Sequence, residues 1–359
     1  MTIPYGHQSI DDDDIAAVVR TLKGEWLTQG PAVDEFEAAL AEYTGARHAV
    51  VFANGTAALH AAAAVAGLTC GDRVAVPAIT FVASANAARY VGATPVVVDV
   101  DSETLNVDLD MVPVCDALVA VHYAGLPVDL TALRHRPRVV IEDAAHALGA
   151  QTPDGPVGNC AHSDFTCFSF HPVKPITTFE GGAVTTNSVE YANALRRFRS
   201  HGIVPQPDVA PWYYEVEGDG FNYRLTDVAA ALGTSQLAKL DRFVERRNEL
   251  ANRYDELLAT VPAQLPARAP SGFRHGRHLY PVRVPNRDAV FAALRARGIG
   301  TQVHYVPLAR HPVIAAHGNR PEDFPRAEQA YGQLLSLPLF PGLTDDEQRF
   351  VVDALRYAL

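Results

Sequence analysis

The chain has 359 residues, enough for one large domain with a smaller companion. It is 48% hydrophobic and 20% charged, with no apolar run of membrane-spanning length, a balance that excludes a disordered chain and a helical membrane protein. A net charge of −11 argues against nucleic acid or an anionic membrane surface as the main partner, because both call for clustered positive charge, but leaves room for a small anionic ligand held by local donors.

The opening MTIPYGHQSIDDDD has neither the basic region nor the apolar core of a secretory signal, so the expected location is cytoplasmic. Asp11 to Asp14 stand directly ahead of IAAVVRTLKG. Acidic side chains at a helix start cap free N–H groups and face the positive end of the dipole, so the run reads as a cap rather than a metal site. After the turn EWLTQGP, AVDEFEAALAEYTG has amphipathic helical spacing and a stop at Gly45, and HAVVFA is a short apolar strand. That strand breaks at Asn54-Gly55-Thr56 into an Ala-rich helix. Free N–H groups at the helix start, the Thr56 hydroxyl and the helix dipole together suit a phosphate, although an ordinary strand-to-helix turn uses the same residues.

An alternation follows: RVAVPA (strand), TFVASANAARYVG (helix), TPVVVDV (strand), ALVAVHYAG (strand) and RVVIED (strand). This rhythm predicts an α/β fold with a large, mainly parallel sheet covered by helices. Ligands of such sheets gather at the carboxyl ends of strands, where Phe81 and Asp143 fall. A buried strand-end acid needs a cationic partner: an arginine, a helix N-terminus, or the protonated nitrogen of a pyridine ring.

Lys174 lies in CFSFHPVKPITTFEGGAVTTN, where two apolar segments meet at a turn. Of thirty basic residues only Lys23, Lys174 and Lys239 are lysines, so a lysine in an apolar setting points to chemistry that arginine cannot perform. A buried ammonium loses its proton readily and then attacks a carbonyl, and lysine alone forms a Schiff base. Cys70, Cys115, Cys160 and Cys167 have neither disulfide-framework nor zinc spacing and read as reduced core residues. Beyond Lys174, PQPDVAPWYYEVEGDG reads as a long ordered loop, and GFNYRLTDVAAALGTSQLAKLDRFVERRNEL ends in a long amphipathic helix. From about residue 245 a Pro-rich turn, the strand HLYPVRV, the helix DAVFAALRARG and a closing helix TDDEQRFVVDALRYAL predict a smaller α+β domain. The expected division is 1–240 and 241–359, with the N-terminal helix packed on the smaller domain.

NGTAAL, PAITFVASANAA, EDAAHALGA, FSFHPVKPITT, EGGAVTTN, GFNYRLTDVAAALGTSQL, GIGTQVHYVPL and SLPLFPGLT together give a resemblance over essentially the whole chain. It resembles the DegT/DnrJ/EryC1/StrS sugar aminotransferases, pyridoxal-phosphate enzymes of the aspartate aminotransferase fold (fold type I). FSFHPVKPITT, PWYY and GFNYRLTD look closest to the branch that aminates UDP-linked 4-keto-6-deoxy-N-acetylhexosamines for pseudaminic acid. The resemblance implies that Lys174 carries pyridoxal 5'-phosphate and moves protons, that Asp143 pairs with the pyridine nitrogen, and that Phe81 stacks on the ring. It also implies that His146 lies on the side of the ring 3-oxygen. Gly55, Thr56, Ala57 and Ser169 would hold the phosphate, completed by Asn222 from the second subunit of a homodimer with shared sites. His171, Tyr223, His304 and Tyr305 are implied for the nucleotide-sugar side.

The implied reaction takes an amino group from L-glutamate, passes through pyridoxamine 5'-phosphate, and delivers it to C4 of the sugar. Amination at C3 or of a dTDP-linked sugar stays open, as does a non-catalytic regulatory role, which the intact Lys174 and Asp143 disfavour. Relatives that dehydrate sugars carry histidine at the lysine position. Two departures stand out: LTALRHRPRVVIED is short for a crossover helix, and Phe179 replaces a small residue, placing a bulky ring where it is expected to narrow the pocket near Lys174.

Overall fold

The computed structural model describes residues 2–359. Helix α1 (Asp12–Leu22) begins where Asp11 accepts the Asp14 N–H and Asp14 accepts the Asp11 N–H, a reciprocal cap built from the acidic run. Lys239 then pairs with both carboxylates, so the run is spent on structure. Helix α2 (Pro31–Thr44) stops at Gly45, whose φ of 74° is the left-handed conformation that glycine adopts without strain.

The chain then lays down β1 (His48–Phe52), α3 (Gly55–Val65), β2 (Arg73–Pro77), α4 (Ala83–Tyr90), β3 (Thr94–Val98), β4 (Ala117–Val121) and β5 (Val139–Asp143). A small hairpin, β6 (Gln151–Thr152) and β7 (Gly155–Pro156), precedes β8 (Phe165–Ser169) and β9 (Gly182–Thr186). Seven strands form one sheet in the order β1-β9-β8-β5-β4-β2-β3. Only β9 runs against the others. Side chains along each strand alternate between faces, so Val50 and Phe52 join one core layer while Ala49 and Val51 join the opposite one. With helices on both faces, β4 and β5 are buried at every position, which is why β4 reads as an unbroken apolar run and β5 as one up to the acids Glu142 and Asp143 at its end. Between β4 and β5 the chain makes only 3₁₀ turns at Tyr123–Gly125 and Leu130–Ala132, in keeping with the shortness of that segment.

After α5 (Val189–Arg199), the segment expected as a long loop pairs with itself as β10 (Ile203–Pro205) and β11 (Tyr214–Val216), with Trp212, Tyr214 and Val216 exposed. Helices α6 (Asp227–Leu237) and α7 (Leu240–Leu257) lead to β12 (Tyr280–Arg283), α8 (Arg287–Ala296), the short α9 (Pro312–Ala315) and α10 (Pro325–Tyr331), β13 (Leu334–Leu337) and α11 (Asp345–Ala358). The antiparallel β12–β13 pair shares a core with residues from Leu250 to Leu355 and with Ile3. Helix α1 itself lies against α6, where Asp14 accepts from Ser235 and Gln236, and not on this C-terminal core. Ile3, bridged to Ile299, is the N-terminal residue that joins it. Cys160 and Cys167 are buried, but Cys70 is exposed and so is no core residue. Among the described residues no helix is long and apolar enough to cross a membrane, and no group of His, Cys, Asp or Glu is arranged to hold a metal.

Candidate active site

The parallel strands deliver their carboxyl ends to one edge of the sheet, and a cavity of about 1090 Å³ opens there. Asp143, the last residue of β5, lies in it with 6% of its surface exposed. Its carboxylate accepts the Ser84 hydroxyl at 2.7 Å and the Ala145 N–H at 3.2 Å, which fixes its orientation before any ligand arrives. Ser84 was not legible in the sequence, because its partner lies 59 residues away and an isolated serine in an Ala-rich helix carries no signal.

Lys174 sits in the loop joining β8 to β9 and lines the same cavity. Removal from water draws its pKa down to about 8, with the Asp143 carboxylate pulling the other way. Lys239 is held in its ion pairs and Lys23 closes α1, so the cavity contains one lysine and no arginine.

Asn54 caps α3, its side chain accepting the Ala57 N–H at 2.8 Å. The Ala57 amide, expected among the phosphate donors, is therefore already engaged. The Gly55 and Thr56 amides and the Thr56 and Ser169 hydroxyls have no partner among the described residues, and all three residues line the cavity. A Cβ on Gly55 would lie 2.8 Å from Ser169 Cβ, and one on Gly182 would lie 2.6 Å from the Asn54 carbonyl. The glycines thus let β8, β9 and the helix start close into a cradle of donors with no side chain filling it.

Phe81, 55% exposed, covers one side of the cavity, its ring centroid 6.0 Å from that of Tyr305. His146 follows Asp143 by one turn and its Nε2 lies 3.0 Å from the Tyr305 hydroxyl. Burial, then the nearby Lys174, His304 and His122, push the His146 pKa well below its ordinary value, and burial pushes that of Tyr305 well up. His304 is pinned by Ser336 at Nδ1 (2.9 Å) and by the Tyr123 hydroxyl at its carbonyl (2.6 Å); burial, then Lys174, bring its pKa down to about 3. His171 and Tyr223 line the cavity too, Tyr223 with its hydroxyl 3.2 Å from His60 Nδ1. His60, Tyr5 and His278 also face the space and escaped the sequence, lying outside its motifs.

Asn222 is exposed and does not line the cavity of its own chain; its backbone is bridged to Ser200. Phe179 does not narrow the pocket. Its backbone takes a positive φ of 67°, and the ring is 55% exposed outside the cavity lining.

Residues 8–356 match the model of the DegT/DnrJ/EryC1/StrS aminotransferase family. The chain belongs to that family. It is a pyridoxal-phosphate-dependent sugar aminotransferase. It is 36% identical to the spore coat polysaccharide biosynthesis protein SpsC of Bacillus subtilis, over 99% of this chain and 96% of that protein. Among solved structures it is similar to the putative sugar aminotransferase Spr1654 of Streptococcus pneumoniae, known in apo, pyridoxal-phosphate and pyridoxamine-phosphate forms. For the pyridoxamine form the TM-score is 0.93 and the identity 29%, covering 100% of this chain and 98% of that one. Helicobacter pylori PseC, an aminotransferase involved in the biosynthesis of pseudoaminic acid, gives a TM-score of 0.93 and 30% identity, covering 100% and 99%.

Proposed function

We propose that this aminotransferase moves the amino group of L-glutamate to C4 of a UDP-linked 4-keto-6-deoxy sugar. The observation that carries the amino-transfer chemistry is Lys174, the one cation of the cavity, with its pKa drawn to about 8 and Asp143 close enough to act on it. The sugar assignment is supported by the HPVKPITT form of the lysine loop and by similarity to PseC.

The residues present fit the cofactor. The donor cradle of Gly55, Thr56 and Ser169 suits a phosphate, Asp143 is pre-oriented to meet a pyridine nitrogen, and Phe81 offers an apolar face to a ring. When bound, pyridoxal phosphate supplies the carbonyl that lysine attacks and a ring that spreads the charge left as a proton departs from carbon. Asp143 would hold the ring nitrogen's proton through opposite charge. Lys174 would hold the cofactor, and its amine, whose pKa burial draws to about 8, would be placed to take up and return a proton. His146 would lie on the side of the ring 3-oxygen, and His171, Tyr223, His304 and Tyr305, which line the same cavity, would face the nucleotide-sugar. Asn222, exposed and outside the cavity of its own chain, would reach the phosphate of a second copy, which would make a homodimer the working unit.

The test is a single-turnover panel. The pyridoxamine form is mixed with UDP- and dTDP-linked 4-keto and 3-keto sugars, and return of the pyridoxal absorbance is followed. The UDP-4-keto-6-deoxy sugar should react with the highest kcat/KM; preference for a dTDP-linked or 3-keto sugar would overturn the assignment.

A further inference from the structure

His278 belongs to the C-terminal part of the chain, yet its ring centroid lies 4.5 Å from that of His146 on the large sheet, with the planes at 39°. Its backbone is held on both sides. The N–H donates to the Ala124 carbonyl at 2.9 Å, and the carbonyl accepts from Arg247, a buried side chain that also donates to the Leu339 carbonyl. Gly125 and Gly276 bring the backbones together there: a Cβ on either would come within 2.7 and 3.3 Å of the His146 carbonyl. The imidazole of His278 is therefore set against His146 by backbone contacts, with little freedom to move.

His146 in turn meets Tyr305, the ring centroids 6.0 Å apart, the planes within 18° of parallel and Nε2 hydrogen-bonded to the hydroxyl. The Nδ1 atoms of both His146 and His278 are buried without a partner. A neutral imidazole carries one donor and one acceptor nitrogen. An orphaned buried donor is the rarer and costlier defect, so the unpartnered Nδ1 of His146 is the lone pair and the proton sits on Nε2. Nε2–H then donates to the Tyr305 oxygen, and the tyrosine's own proton is free to point elsewhere. The hydroxyl has no other partner among the described residues, and its residue lines the cavity that holds Lys174.

We propose that His278 is a positioning residue for the amino transfer: packed on His146, it keeps water from Nδ1 and holds the Nε2–H tautomer, so that Tyr305 presents its hydroxyl proton to an oxygen of the bound ligand. This rests on the cavity being the site of amino transfer. The acceptor is an oxygen of the cofactor ring or of the keto sugar, and the two are separable by experiment.

The experiment uses the holoenzyme labelled with ¹⁵N-histidine, and reads the His146 tautomer from its ring nitrogen shifts, assigned with His146→Gln. Wild type should show protonated Nε2. His278→Phe, which keeps a ring and loses both nitrogens, should retain that tautomer and kcat/KM within a few fold. His278→Ala, which admits water to Nδ1, should give a mixed or exchanging tautomer and lower kcat/KM by about tenfold or more. Adding Tyr305→Phe to His278→Ala should cost little beyond Tyr305→Phe alone, because both remove the same donor. If Tyr305→Phe shifts the absorbance of bound pyridoxal phosphate, the acceptor is on the cofactor; if it raises KM for the sugar with the spectrum unchanged, the acceptor is on the sugar. A protonated Nδ1 in wild type, loss of the tautomer in His278→Phe, or additive losses in the double variant would each overturn the proposal. Cofactor uptake, followed separately by absorbance, reports failure of the underlying site assignment instead.

Discussion

The lysine proposed to carry the cofactor should weaken the fold that holds it. With a pKa of about 8 in the folded apoprotein against an ordinary 10.5, Lys174 binds fewer protons when folded, and its charged form is disfavoured by burial. A lowered lysine pKa costs stability in full below the folded value, and that cost fades as pH rises from about 8 towards 10.5. At about 1.36 kcal/mol per pH unit, the cost is about 3 kcal/mol at pH 7 and about 1.4 kcal/mol at pH 9.5. Lys174→Met keeps the length and apolar stem of the side chain and removes the charge. The attraction of Asp143 is already contained in the lysine's net pKa, and that carboxylate keeps its bonds from Ser84 and Ala145. The apo variant should therefore exceed wild type in stability by about 3 kcal/mol at pH 7, and the gain should fall by roughly half at pH 9.5. Urea unfolding of both apoproteins at one fixed protein concentration measures this, since any association would make stability concentration-dependent. A variant less stable than wild type at pH 7, or a gain that does not change with pH, would refute the reasoning.

Asp143→Asn should leave cofactor uptake nearly intact but lower turnover by about 10²-fold or more, since the ring loses its charged partner; turnover within threefold of wild type would contradict the assigned role. Gly182→Ala would drive a Cβ to 2.6 Å from the Asn54 carbonyl and displace the first turn of α3, so the Kd for pyridoxal phosphate should rise about tenfold, about 1.4 kcal/mol, in an absorbance titration. Glu142 is buried and accepts from His122 (2.8 Å), Ser163 (2.5 Å) and Thr166 (3.0 Å); burial raises its pKa, but these bonds outweigh it and hold the carboxyl below its ordinary value. Glu142→Leu should cost roughly 3–5 kcal/mol at pH 7 by leaving those donors unpaired. A depressed carboxyl pKa contributes stability above its unfolded value, so the gap between wild type and variant should close as pH falls below 4.5.

How much of the site was legible follows from what constrains each residue. Lys174 stood out because a Schiff base demands lysine and the chain otherwise prefers arginine; Asp143 stood out because an acid at a buried strand end needs a cation. The donor cradle was visible as a strand breaking at Gly55 into a helix, but not the Asn54 cap that accepts the Ala57 amide there. The β-alternation fixed the sheet's parallel character, but pairing of β10 with β11 was hidden, because its exposed Trp and Tyr residues carry no inward–outward pattern. Phe179 misled because the sequence gives a side chain's size and not its φ, and a left-handed backbone turns the same ring outward.

The supporting residues were illegible for a different reason. Ser84 and His278 meet Asp143 and His146 across separations of 59 and 132 residues, and the demand on each is to present one group at one point. Chemistry restricts the reacting residue to one or two types, whereas support is set by where the two parts of the chain close on each other. The glycines at 125 and 276 record that closure most directly: a Cβ at 125 would meet the His146 carbonyl at 2.7 Å, one at 276 would press on it at 3.3 Å, and the approach they permit is what sets His278 against His146. Gly125→Ala should therefore disturb amino transfer by tilting an imidazole, read as a lowered kcat/KM, without touching a group that meets the ligand.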